Sequence, residues 1–279
     1  MPFEIKKISN YGTQHPVVAR LTVQTHELVQ WAELPETEKL TIKSIYFEMA
    51  QRLLKCFEVY ERLNAALQTA VEEVQPSVDS RIMPVPHLIG LRGEVETFLY
   101  EVKNYLRDLL QILNIFFSTK FKEASVLYDP KGQSKSALVD WAIKQFGFGD
   151  PFTRMLVDEQ QWVGELIRKR NAVEHPGGKS GVLHIENFKL SPDGVVFPYW
   201  HRDQNNPSGL FPDLETYLDN LLTLAEDMLV SCIHHRTKFK IIQFVEIPLA
   251  ERNHQCPLRL RVVLNQSMLR APTQPAVPA

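Results

Sequence analysis

Between Glu36 and Glu73 the chain contains neither Gly nor Pro, and its apolar residues return every three or four positions: Ile42, Ile45, Met49, Leu53, Cys56, Tyr60, Leu63 and Leu67. That spacing lays one apolar stripe along a helix, so a long amphipathic helix is predicted over 36–73. A second is predicted from about His87 to Phe121. Its seam of Leu91, Val95, Phe98, Val102, Tyr105, Leu109, Ile112 and Phe116 is flanked by a further row of Leu99, Leu106, Leu110, Leu113 and Phe117. A stripe this wide needs neighbours on two sides, within a bundle or at a dimer contact.

A shorter helix, SALVDWAIKQF, follows a loop containing Pro130 and Gly132. GDPF then supplies a helix start, with Asp150 as N-cap and Pro151 at the first helical position. This helix should run to about His175, where Pro-Gly-Gly stops it. FPDLETYL opens another, from about Asp213 to His235, with Leu214, Tyr217, Leu218, Leu221, Ala225, Met228 and Leu229 on one face. Between these two lies VLHIENFKLSPDGVVFPYW, whose Pro-Asp-Gly turn between β-rich runs reads as a hairpin. KFKIIQFVEIP and PLRLRVVL have the composition of two more strands, and the tail APTQPAVPA that of a disordered segment. The predicted organisation is an N-terminal segment (1–35), a helical bundle (36–236) with a β-hairpin at about 182–200, a C-terminal β-hairpin (237–265) and a disordered tail (266–279). The fold class is mainly α, a bundle of about five helices with small β elements.

Composition narrows the function classes. The chain has 279 residues, 44% hydrophobic and 23% charged, which fits a globular protein with a substantial core. A net charge of −2 supplies no global positive field, so constitutive binding of long nucleic acid is not expected, although a local basic site is compatible with it. Cys56, Cys232 and Cys256 are odd in number and lack CxxC spacing, as in a reducing compartment. MPFEIKK lacks the apolar core of a signal peptide, and LLQILNIFF is too short to cross a bilayer, so a cytoplasmic protein without a membrane partner is expected.

Most chemical motifs are missing. HExxH, GxSxG and a post-strand GxGxxG do not occur, and the Gly-Gly-Lys-Ser of HPGGKS leaves a helix where a phosphate loop must enter one. His184, His201, His234, His235, Cys232 and Cys256 have no zinc-site spacing, so neither a metal nor a cofactor is expected. What remains is RKRNAVEHPGG, residues 168–178. At 100° per residue, Phe152, Met155, Leu156, Val163, Leu166 and Ile167 fall within about 60° of one direction. Arg170 lies eighteen residues, five whole turns, beyond Phe152 and points the same way. A guanidinium on the packing stripe needs a partner, and Glu174 at i+4 or Glu159 could provide it. Asn171 and His175, also i and i+4, sit at the border of the stripe, with Arg168, Lys169 and Lys179 nearby. Arg offers a planar fork for phosphate, and His titrates near neutrality. The same residues equally make an ion pair and a polar helix end.

The segment RNAVEH resembles the Rx4–6H motif of the HEPN superfamily, with the favoured polar residue, Asn171, directly after the Arg. The order of helices around it, over roughly 36–235, is similar as well. The resemblance implies a homodimer in which two motifs meet in one composite site. It further implies a metal-independent endoribonuclease cutting an RNA substrate, of the kind found among toxins and phage-defence effectors and restrained by an antitoxin or other partner protein. By that resemblance Arg170 would orient the scissile phosphate, His175 would be the general acid/base and Asn171 would position either. Arg168, Lys169 and Lys179 would bind substrate, and Glu174 would be a supporting acid. Glu94, Glu96 and Glu101 are candidates for the acidic residue that the family often carries on an earlier helix. Some HEPN proteins only bind, so the alternative is a non-catalytic module for a nucleotide, RNA or protein partner. A third reading is an architectural subunit whose apolar stripe over Leu91 to Phe116 docks a partner protein.

Overall fold

Residues 10–73, 85–129, 135–192, 194–237 and 241–265 are described by a computed structural model. It is 63% helix and 13% strand, a mainly α protein with small sheets. The tail 266–279, the loop residues Pro130 and Gly132, and Asp193 of the Pro-Asp-Gly turn lie outside the described residues.

The first predicted helix is α3 (Glu36–Glu73) and the second α4 (Leu91–Phe117). Arg52 pairs with Asp108 and Glu101, Lys55 with Glu101 and Arg62 with Glu94. Partners fall along α4 as residue numbers rise along α3, so the two helices run antiparallel. α4 is shorter at both ends than its periodicity suggests. Gly90, at φ 76°, takes the left-handed conformation just before it. At the other end Asn114 folds the chain back: its Oδ1 accepts from the Phe121 N–H at 2.8 Å, and its Nδ2 donates to the Phe121 carbonyl at 2.8 Å.

Next come α5 (Ala137–Phe146), α6 (Pro151–Glu174) and α7 (Leu210–Arg236). α6 begins as its sequence requires, with the Asp150 carboxylate accepting from the Phe152 N–H at 2.9 Å and Pro151 in the first turn. α7 starts three residues earlier than predicted and tolerates Pro212 because a first-turn N–H has no helical partner to lose. It packs on both long helices: Tyr46 of α3 donates to the Ala225 carbonyl at 2.7 Å, and Tyr105 of α4 to the Leu221 carbonyl at 2.9 Å. With α3, α6 and α7 around it, α4 keeps its whole seam, Leu91 to Phe116, at most 4% exposed. The stripe is therefore covered from within the chain, which overturns the reading of it as a docking face.

The β-rich arm is a hairpin within a hairpin. β1 (Leu183–Glu186) pairs antiparallel with β4 (Tyr199–Arg202), which also pairs with β5 (Ser208–Gly209). β2 (Lys189–Ser191) and β3 (Gly194–Val196) form the inner pair. β6 (Ile242–Glu246) and β7 (Leu260–Leu264) pair antiparallel, as expected of the C-terminal strands. No helix among the described residues is long and apolar enough to cross a membrane.

Residues 16–31 form a helical run that periodicity did not reveal. It comprises α1 (Pro16–Val18), a π-helical turn (Ala19–Gln24), α2 (Thr25–Leu28) and a 3-10 turn (Val29–Trp31). Its buried face includes three polar residues, Arg20, Gln24 and Thr25, of which Arg20 and Gln24 reach Glu226 of α7. Arg20 Nε donates to Glu226 Oε1 at 2.9 Å and its Nη2 pairs with Oε2; Gln24 Nε2 donates to Oε1 at 2.6 Å. Arg259, just before β7, adds a bond to Oε2 at 3.1 Å and another to Asp227 at 2.7 Å. Gln24 Oε1 then accepts from the backbone N–H of Arg259 and Leu260, at 2.8 and 2.6 Å. Removing the carboxylate would leave the buried Arg20 guanidinium without its counter-charge and Arg259 with Asp227 in its place. Glu226→Ala is expected to lower stability by about 3–5 kcal/mol in urea unfolding, the range for breaking one side of a buried pair. A change below about 1 kcal/mol would mean that the network is dispensable.

Candidate functional site

α6 presents two polar faces near its C-terminus, and neighbouring residues go to opposite sides. Lys169, 4% exposed, turns to the β1–β4–β5 sheet. Its ammonium lies 4.2 Å from the centre of the Trp200 ring, 3.3 Å from the Tyr217 hydroxyl and 3.4 Å from Asp213. Burial lowers its pKa, and Asp213 and Glu165 offset part of that shift. Asp213 also accepts from the Trp200 indole and the Ser208 hydroxyl, each at 2.6 Å, so this cluster fixes the sheet to α6 and α7.

Arg170, 6% exposed, turns the other way, onto α4, as the helical arithmetic requires. Its guanidinium carbon is 5.4 Å from the centre of the Tyr100 ring. Nη1 pairs with Glu174 and donates to Asn171 Oδ1 at 3.2 Å. Of the two acids expected to serve it, Glu174 does so, while Glu159 bonds the Trp162 indole instead. Nε of Arg170 is buried and has no hydrogen-bond partner among the described residues. Burial depresses the Arg170 pKa, with the positive Arg107 acting in the same direction and Tyr100 and Glu123 against it.

Arg170 forms part of a surface cavity of about 500 Å³. Lys103, Arg168 and Lys179 line it with Arg170, against one carboxylate, Glu174; Tyr128, Asn171, His175, Gly178 and Ser180 complete the wall. The structure thus brings Arg168, Arg170, Asn171, Glu174, His175 and Lys179 together, and sends Lys169 elsewhere. Lys103, which sequence reasoning missed, comes from α4 and lies 3.5 Å from Glu174. Burial and then the Arg170 charge lower its pKa, so these cations crowd one another and favour an anion between them. Its position, a helical turn beyond Leu99 beside the seam, was the one available signal. Glu94, Glu96 and Glu101 do not enter the cavity: they pair with Arg62, with Arg92, and with Arg52 and Lys55.

His175 caps α6, with its backbone N–H on the Asn171 carbonyl at 2.9 Å. Its side chain is 71% exposed, and Nε2 lies 3.4 Å from Glu174. The site thus sets an exposed imidazole at the rim and a buried guanidinium at the base.

The loop after the motif forms the opposite wall. Gly177 donates to the Gly181 carbonyl at 3.1 Å and Gly178 to the His175 carbonyl at 2.9 Å, while Gly177 and Gly181 take φ near 75°. A Cβ on Gly181 would sit 1.7 Å from Asp203 Oδ2, whose carboxylate accepts from the Val182 N–H through Oδ1 at 2.8 Å. Arg202 of β4 holds the loop from behind: Nη1 donates to the Ser180 carbonyl at 2.9 Å, and Nε and Nη2 bind both oxygens of Glu165 at 3.1 and 3.0 Å. Gly164 lets α6 approach the segment 124–128, since a Cβ there would meet Tyr128 Cβ at 2.9 Å; Arg168 lies over the Tyr128 ring at 5.3 Å.

A second grouping, not visible in sequence spacing, is His184, Glu186 and His201 on the outer face of β1 and β4. Comparison of the chain with protein-family models, curated proteins and solved structures returns no match.

Two outcomes follow for this architecture. Gly181→Ala should destabilise the fold by at least about 1–2 kcal/mol from its left-handed backbone alone, and more from the collision with Asp203; thermal melting reads it. Burial would raise the Glu165 carboxyl, but the Arg202 bonds and the Lys169 and Arg168 charges hold it below its ordinary value. Its contribution to stability is therefore complete above an unfolded pKa of about 4.3 and disappears as pH falls through the lower folded value. Glu165→Gln should flatten that part of the acid-unfolding profile.

Proposed function

We propose that the chain is a HEPN-like, metal-independent endoribonuclease that works as a homodimer, with the two copies of the 168–180 cavity forming one cleft. The observation that carries this reading is the buried Arg170 at the base of a cationic cavity with His175 exposed at its rim. The planar fork of Arg170, with Lys103, Arg168 and Lys179 around it, suits a phosphodiester. In the reaction the ribose 2′-oxygen forms a bond to phosphorus and the bond to the 5′-oxygen breaks. One His175 takes the proton of the 2′-hydroxyl, the other protonates the leaving 5′-oxygen, and Arg170 stabilises the charge gathering on the phosphoryl oxygens. Asn171 holds the guanidinium in plane. The products are a 2′,3′-cyclic phosphate and a 5′-hydroxyl.

One feature favours the alternative of a module that binds without cutting: Glu174 already occupies Arg170 and stands beside His175. Incubation of single-stranded RNA with the purified chain in EDTA separates the two. Cleavage with cyclic-phosphate ends is expected, falling by about 10²–10⁴-fold in His175→Ala, whose exposed side chain carries no packing. Arg170→Lys, which keeps the charge and loses the fork, should cost about 10²–10³-fold. Equal cutting by wild type and both variants would exclude the assignment. Binding without cutting, with a salt slope reduced by about 0.7 in Lys179→Ala, would establish the binding module instead.

A further inference from the structure

Alternation along β1 and β4 divides their side chains between two faces. Leu183 and Trp200 are buried inside with Arg202 reaching Glu165, while His184, Glu186, Tyr199 and His201 fall on the outer face. The antiparallel register sets His184 directly opposite His201. Their rings lie nearly parallel, 15° apart, with centroids separated by 4.8 Å. One nitrogen of each ring and one oxygen of Glu186 all lie within 4.8 Å of one another. Among the described residues, neither His184 nor Glu186 makes a hydrogen bond or ion pair that would account for this convergence.

We propose that His184, Glu186 and His201 bind a borderline divalent transition-metal cation, Zn²⁺ foremost. Two imidazole nitrogens and one carboxylate oxygen are a zinc donor set, with the fourth tetrahedral position left to water. Metal bonds of about 2.0–2.1 Å place tetrahedral ligands about 3.4 Å apart, so small side-chain rotations close the present spacing. A separate observation concerns His201, whose Nδ1 is 2.8 Å from the Asp203 carbonyl oxygen. A carbonyl only accepts, so Nδ1 carries the proton and Nε2 keeps the lone pair that a metal requires. Metal-bound histidines are commonly oriented by such a bond through the other ring nitrogen. Asp203 is itself fixed by the Val182 N–H, so the ring is aimed by backbone. Mg²⁺ and Ca²⁺ prefer all-oxygen shells and fit poorly.

The ion would join β1 to β4 across their outer face, while Arg202 on the inner face holds the 176–182 loop. It would act as a clamp on the cavity wall and take no part in phosphodiester chemistry. Calorimetric titration of the untagged, EDTA-treated chain with Zn²⁺ should reveal about one saturable site per chain, and Co²⁺ should give the intense visible bands of low coordination. Zn²⁺ should raise the melting temperature of the native chain, because binding to the folded state alone stabilises it. His201→Ala and His184→Ala should each weaken binding at least tenfold and remove the melting shift; Glu186→Gln, nearly isosteric and on the surface, should weaken it as well. His175→Ala should bind like wild type. Absence of a saturable site, or unchanged affinity in His201→Ala and Glu186→Gln, overturns the proposal.

Discussion

Glu226 has almost no contact with solvent, and two guanidiniums and a carboxamide converge on it from opposite ends of the described chain. A lone carboxylate in that position would be prohibitive, and so would Arg20 without it, whereas Arg259 also has Asp227. The constraint is mutual: the 16–31 run, α7 and the strand beginning at Leu260 must dock together or not at all. α7 in turn accepts the hydroxyls of Tyr46 and Tyr105, which fixes both long helices against it. Asp213, in the first turn of the same helix, gathers Trp200, Ser208 and Lys169. A single helix thus transmits the placement of the 16–31 run and of β7 to the sheet that backs the cavity.

The cavity depends on α6 having two different neighbours. Lys169 faces an aromatic and acidic cluster on one side, and Arg170 faces α4 on the other, so consecutive cations in the sequence have unrelated roles. Lys169 holds the scaffold. Arg170, with Lys103 opposite, makes the electropositive base. The glycine loop and Arg202 then bring Lys179 and Ser180 to the rim, and their position is set by hydrogen bonds to backbone, which leave little freedom to the wall.

Local periodicity was enough for the helices from α3 to α7 and for Arg170, because one helix of five turns between Phe152 and Arg170 converts sequence distance into direction. The caps of α6 were legible for the same reason: Asp150-Pro151 and His175-Pro-Gly-Gly act on their immediate neighbours. Non-local partners were not legible. Arg20 and Gln24 interrupt the apolar pattern of 16–31, and the Glu226 that makes them core residues is some two hundred positions away. Lys169 looked like a substrate ligand until strand pairing put Trp200 beside it. His184 and His201 stand far apart in the chain, and only the register of β1 with β4 makes them neighbours.

Glu174 has a further consequence. Its carboxylate touches Arg170 and lies near Lys103 and His175, so the cavity holds its own counter-ion. On the proposed function, an arriving anion would not meet bare cations; it would enter an exchange, in which it must be a better partner for the guanidinium than a carboxylate tethered one helical turn away. A group with a single diffuse charge gains little from that exchange. A phosphate with several oxygens gains more, because it can engage the Arg fork and the surrounding ammonium groups together. On the proposed function, selectivity for phosphate over simpler anions would thus be set by a side chain of the protein itself.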